Sequence, residues 1–125
     1  MRNQRIALFA LVAVAAAAVP ERGADFHFAL SRSAPAADAT VPAPAEIKLW
    51  FTEVPRPGSL AVRLVDAGGA LVETAEPKAD EADAKIISLR IGRTLPAASY
   101  TVAWRGIGGD GHVVQGEFGF RVSAE

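Results

Sequence analysis

The stretch that decides the fold is Tyr100–Val122, YTVAWRGIGGDGHVVQGEFGFRV. Tyr100, Val102 and Trp104 alternate with Thr101, Ala103 and Arg105, and Phe118, Phe120 and Val122 alternate with Glu117, Gly119 and Arg121. Period two with aromatics on one side predicts two half-buried strands. Between them sits Gly-Gly-Asp-Gly-His, Gly108 to His112, whose three glycines can take positive φ and turn tightly. If Asp110 and His112 continue an extended path, side chains two apart point to the same side. A carboxylate and an imidazole, one hard and one borderline metal donor, then share a rim. By itself D-G-H is a weak motif, equally the turn of a plain hairpin with a surface histidine.

Outward from this hairpin, the chain offers more strands. Glu46–Glu53, EIKLWFTE, puts Ile47, Leu49 and Phe51 on one face and Lys48, Trp50 and Thr52 on the other. Trp50 on the more polar face sits at an interface or under the proline-rich loop. Further strands are predicted at His27–Ser33, Leu60–Asp66, Ala70–Glu73 and Lys85–Ile91. Pro35, Pro42 and Pro44 make Ala34–Pro44 an extended loop crossing the domain. Glu76–Asp83 is acidic and reads as a solvated loop. Short strands with turns every 8–12 residues or so, and no convincing helix, predict one all-β domain. The expected form is a seven-stranded antiparallel β-sandwich of Ig-like, Greek-key type. Its core candidates are Phe51, Leu64, Tyr100, Val102, Trp104, Phe118 and Phe120.

The N-terminus reads as a targeting segment. Arg2 and Arg5 precede an apolar run, Ile6–Val19. The run is short of the roughly 20 residues a membrane span needs but suits a signal-peptide core. An uncleaved short membrane anchor is the alternative. Residues 1–24 are assigned to the signal and 25–125 to the exported domain. Cleavage after Ala24 leaves Asp25-Phe26-His27 at the terminus, whereas a cut directly before His27 would follow Phe26, a poor residue there. Losing Arg2, Arg5, Arg22 and Glu21 from 13 basic and 14 acidic residues leaves 10 and 13, a net charge of −3. That balance argues against a nucleic-acid partner. The chain has no cysteine and therefore no disulfide or thiolate site. Export without disulfides fits a bacterial periplasm.

Two histidines exist in the chain, His27 near the expected mature terminus and His112 in the turn. A terminal histidine offers copper its α-amine and its ring. His112 adds a third nitrogen and Asp110 an oxygen, a set suited to tetragonal Cu(II). Met1, the only methionine, leaves with the signal, so this chain cannot build a sulfur Cu(I) site.

These residues resemble the CopC-type periplasmic copper-binding (copper resistance) proteins over almost the whole mature chain. The start H-x-x-L-x-x-S-x-P-A is matched by His27, Leu30, Ser33, Pro35 and Ala36, and the strand I-x-L-x-F-[ST]-E by Ile47, Leu49, Phe51, Thr52 and Glu53. The strand L-x-x-G-x-Y-x-V-x-W-R is similar to Leu95, Tyr100, Val102, Trp104 and Arg105, with Ala-Ala-Ser where a glycine is common. The D-x-H turn is matched by Asp110 and His112, followed by Gly116, Phe118, Phe120 and Val122. The resemblance implies a β-sandwich holding one Cu(II) through His27, Asp110 and His112. It also implies a Glu near the metal; Glu53 is then either a hydrogen-bond acceptor for a ligand histidine or a strand-end carboxylate in water. Arg105 could pair with Glu53 or with Asp110. The methionine-rich Cu(I) loop common in the family is missing from this chain.

Three arrangements of His27 stay open: terminal amine and ring together with His112, ring alone, or an Asp-Phe-His tripeptide binding copper in a square plane with Asp110 and His112 outside or axial. The expected role is a monomeric Cu(II) carrier or buffer in copper homeostasis or resistance, delivering to an inner-membrane copper transporter or a cuproprotein. An interaction or adhesion sandwich without a physiological metal is the alternative. No Ser/His/Asp set, phosphate loop or paired-carboxylate motif points to an enzyme.

Overall fold

A computed structural model describes residues 27–124; the expected signal segment lies outside them. The strands are β1 (Leu30–Ala34), β2 (Thr40–Val41), β3 (Glu46–Phe51), β4 (Ala61–Asp66), β5 (Leu71–Val72), β6 (Lys78–Ala79), β7 (Ile86–Arg90), β8 (Ala98–Ile107) and β9 (Val113–Val122). They form two sheets, ordered β1-β3-β7-β6 and β2-β9-β8-β4-β5. No helix occurs among the described residues.

The seven strands expected from the sequence are all present, and two two-residue strands join them. One is β6, inside the acidic loop and fully exposed. The other is β2, in the proline-rich crossing, which carries the chain from the first sheet to the second. There β2 pairs with the end of β9 in parallel, Thr40 opposite Arg121 and Val41 opposite Val122, so the sandwich is not wholly antiparallel. A crossing segment that must pass the sheet edge can satisfy its backbone on that edge.

Alternation decides which side of each strand is buried. In β3, Ile47, Leu49 and Phe51 turn inward; in β8, Tyr100, Val102 and Trp104 do. Ile47, Leu49, Leu64, Leu89 and Val102 are almost completely enclosed between the sheets. Each such side chain contributes about 1.5–3 kcal/mol of burial. No polar or charged side chain is buried among the described residues. The Tyr100 hydroxyl, the polar tip of a buried ring, donates to the Pro96 carbonyl at 2.7 Å and so avoids an unmet donor. Phe118, expected in the core, is only half-buried. Phe28 takes a core place instead, at 2 % exposure.

Candidate metal site

β8 and β9 pair without a break from Ala98 opposite Val122 to Ile107 opposite Val113. Beyond that last pair, five residues reverse the chain. Gly111 N–H donates to the Gly108 carbonyl at 3.0 Å, and Gly111 takes φ 85°, which favours glycine. The path of Asp110–His112 is a turn, not the extended continuation the sequence suggested. Asp110 still meets His112, because its Oδ1 accepts the His112 backbone N–H at 3.0 Å and its Oδ2 lies 3.1 Å from His112 Nδ1. This is a carboxylate folding back on its own backbone two residues on. With Nδ1 donating to Asp110, Nε2 is the ring atom left for a ligand. The pair is open to solvent, with side-chain exposures of 79 % for His112 and 41 % for Asp110.

The Asp110 carboxyl is held below the usual carboxylate range. The main cause is the hydrogen bond from the His112 backbone N–H; slight desolvation opposes it. The side-chain hydrogen bond and charge of His112, and last the charge of His27, lower it further.

The fold explains why the N-terminal segment comes to this turn. Phe28 lies face to face with Phe51, centroids 4.9 Å apart, and edge-on to Trp104 at 6.0 Å. Phe51 and Trp104 complete the triangle at 5.2 Å. Gly106 and Gly108 make room for this ring. A Cβ on Gly108 would stand 2.5 Å from Phe28 Cβ, closer than real carbon atoms approach. Gly108 therefore serves close packing, and Gly111 is the glycine in this turn with a positive φ.

Thr52 holds the segment from the other side. Its hydroxyl donates to the His27 carbonyl at 2.7 Å and accepts the Ala29 N–H at 2.9 Å. The next residue, Glu53, reaches the turn: its Oε1 accepts the Gly109 N–H at 3.0 Å. Glu53 thus touches the backbone of the turn, where the sequence left an imidazole or bulk water as its partner. Arg56 grips the same residue from its carbonyl side, Nη2 donating to Gly109 at 3.3 Å, and its backbone N–H bonds the Ile107 carbonyl. Arg105 pairs with neither Glu53 nor Asp110. It is exposed on the outer face of the five-stranded sheet, opposite Gln115, and no Lys or Arg among the described residues forms an ion pair.

His27, Glu53, Asp110 and His112 therefore stand at one end of the sandwich. Asp110 and His112 touch, Glu53 steadies their turn, and His27 is exposed beside them. Among the described residues, no three His, Cys, Asp or Glu side chains are already gathered to hold a metal ion. Phe28 and Arg56, which tie the two halves of the site together, carried no signal of metal chemistry in the sequence. The nearest hint to Phe28 was the glycine spacing at Gly106 and Gly108.

The chain matches the CopC domain family model over residues 30–123. It is 32 % identical over 116 residues to copper resistance protein C of Xanthomonas campestris pv. juglandis, covering 89 % of this chain and 91 % of that one. The crystal structure of CopC from Methylosinus trichosporium OB3b aligns with TM-score 0.72 at 29 % identity, covering 79 % of this chain and 96 % of that one. That of PcoC, a methionine-rich copper resistance protein from Escherichia coli, aligns with TM-score 0.69 at 30 % identity, covering 78 % and 99 %.

Proposed function

The chain belongs to the CopC family of copper resistance proteins, and from that premise we propose that it is an exported, periplasmic carrier or buffer holding one Cu(II). The ion binds His27, Asp110 and His112 at the end of the sandwich, with Glu53 steadying the turn. The observation that carries this reading is the joining of the two histidine-bearing segments: Phe28 packs beneath Gly108 while Glu53 bonds Gly109.

The donors suit the ion. Imidazole nitrogen and carboxylate oxygen favour Cu(II), and the chain has no cysteine and no methionine beyond Met1 to favour Cu(I). The relative described as methionine-rich differs from this chain on that point. Copper here is cargo. His27 is exposed, so its ring can turn toward the Asp110–His112 pair when the ion arrives. Asp110 either gives an oxygen to copper or stays on Nδ1 and orients the ring. A terminal amine, if processing leaves His27 first, completes the set.

An open site suits hand-over. Val54 and Val113, each 53 % exposed, adjoin Glu53 and His112 in sequence and offer apolar surface to a partner. The monomer would pass copper to an inner-membrane transporter or a cuproprotein; carriage, not catalysis, is the role. A Cu(II) titration of the matured protein tests this. One equivalent with a blue-shifted d–d band is expected, and His112→Ala is expected to weaken binding greatly. Retained affinity in His112→Ala with loss in His27→Ala would instead assign copper to the N-terminal tripeptide, and no binding at all would favour an interaction sandwich.

A further inference from the structure

The outer face of the four-stranded sheet carries charge that the copper site does not use. The inner face of this sheet is Ile47, Leu49, Phe51, Ile87 and Leu89. Alternation leaves Lys48, Trp50 and Arg90 outward, and the register sets Arg32 opposite Trp50 and Lys78 opposite Ser88. The Arg32 guanidinium lies 4.1 Å from the Trp50 ring centroid, and Lys48 Nζ lies 5.7 Å from it. Glu46, opposite Arg90, is the carboxylate on these paired positions. At the paired positions four cations meet one anion, and Asp80, bonded through its N–H to the Ile86 carbonyl, adds a second carboxylate at the edge of the face, on a chain whose net charge is −1. None of the four forms a salt bridge with a carboxylate among the described residues. Arg32, on the neighbouring strand β1, and Lys48 lie over the Trp50 ring.

A guanidinium lying on an indole keeps its N–H groups for a phosphate. An indole half-buried on a flat face suits the headgroup layer of a bilayer, where one end is apolar and the other wet. We propose that this face, centred on Trp50 beneath Arg32 and Lys48, docks the protein on a membrane surface rich in anionic phospholipid. Charge complementarity favours that occupant, because basic side chains are drawn to anionic leaflets. A half-buried indole at the centre of the face favours a lipid headgroup layer over a nucleic-acid backbone. The inference stands apart from the copper reading and from His27 and His112.

Co-sedimentation of the matured protein with phosphatidylglycerol-containing vesicles, against pure phosphatidylcholine, is the test. Binding to the anionic vesicles alone is expected, weakening with salt. Arg32→Gln is expected to lower partitioning about fivefold, and Arg32→Gln with Lys48→Gln about twenty-five-fold. Trp50 emission should shift to the blue on vesicles, and that shift should vanish in Trp50→Phe. Circular dichroism and copper uptake should be unchanged in the Gln variants; Lys78→Gln repeats the test should the double variant misfold. Absence of binding, or binding that the Gln variants leave intact, overturns the proposal. Equal binding to DNA, lost in the same variants, replaces a lipid surface with polyanions in general.

Discussion

The middle of the sandwich and its metal end are held by different forces. In the middle, Val102 and Leu64 pair across β8 and β4, completely enclosed, and any well-packed apolar side chain of similar size would serve. At the end, His27 and His112 are positioned by a few single contacts: Phe28 under Gly108, Thr52 on the His27 carbonyl, Glu53 on the Gly109 N–H. The middle has redundancy and the end has little. A change in the middle should therefore alter stability and leave copper alone, while a change at the end should lower copper affinity at a smaller cost in stability.

The largest effect on stability is expected from Leu64→Ala, about 2–5 kcal/mol by thermal or denaturant unfolding. Its copper stoichiometry should be unchanged wherever it remains folded; copper loss in the folded variant would break the contrast. Gly108→Ala lies at the boundary between the regions. Its Cβ would meet Phe28 at 2.5 Å and Glu53 Oε1 at 3.3 Å, so about 1–3 kcal/mol of stability and much of the copper affinity should fall together. Glu53→Ala should cost about 1 kcal/mol of stability and about 10–100-fold in copper affinity by calorimetry. Equal affinity would mean that the Gly109 contact does not position the ligands.

The smallest effect concerns pH. The Asp110 carboxyl is depressed mainly by the His112 N–H. Its interaction therefore supports the folded turn above the ordinary carboxyl value and is lost as pH falls through the lower, folded one. An NMR titration of Asp110 in the apo protein should show a midpoint below the ordinary carboxyl value. The midpoint should rise, without returning fully, in His112→Ala, because the backbone N–H remains.

The strands were legible because burial imposes period two wherever one face meets the core. Ile47, Leu49 and Phe51 announce β3 without any partner in view. Phe28 was not legible as core, since one aromatic beside a histidine near a segment end has no period. Its place depends on the hole left by Gly106 and Gly108, far along the chain. For the same reason the sequence offered an imidazole or bulk water as the partner of Glu53, where the fold supplies the Gly109 N–H. Asp110 and His112 were expected on one side from extended geometry and are brought together by a turn, because a carboxylate can reach the N–H two residues on. Trp50 could be seen to lie outward, but its cover, Arg32, becomes visible only with the β1–β3 register.

The central claim is that two histidines distant in sequence hold one cupric ion. Pulsed EPR of the matured protein loaded with one equivalent of Cu(II) tests it most directly, since each coordinated imidazole modulates the echo through its remote nitrogen. The account predicts the signature of two imidazoles, reduced to one in His27→Ala and to one in His112→Ala. A single imidazole in the unaltered protein, unaffected by His112→Ala, would contradict it.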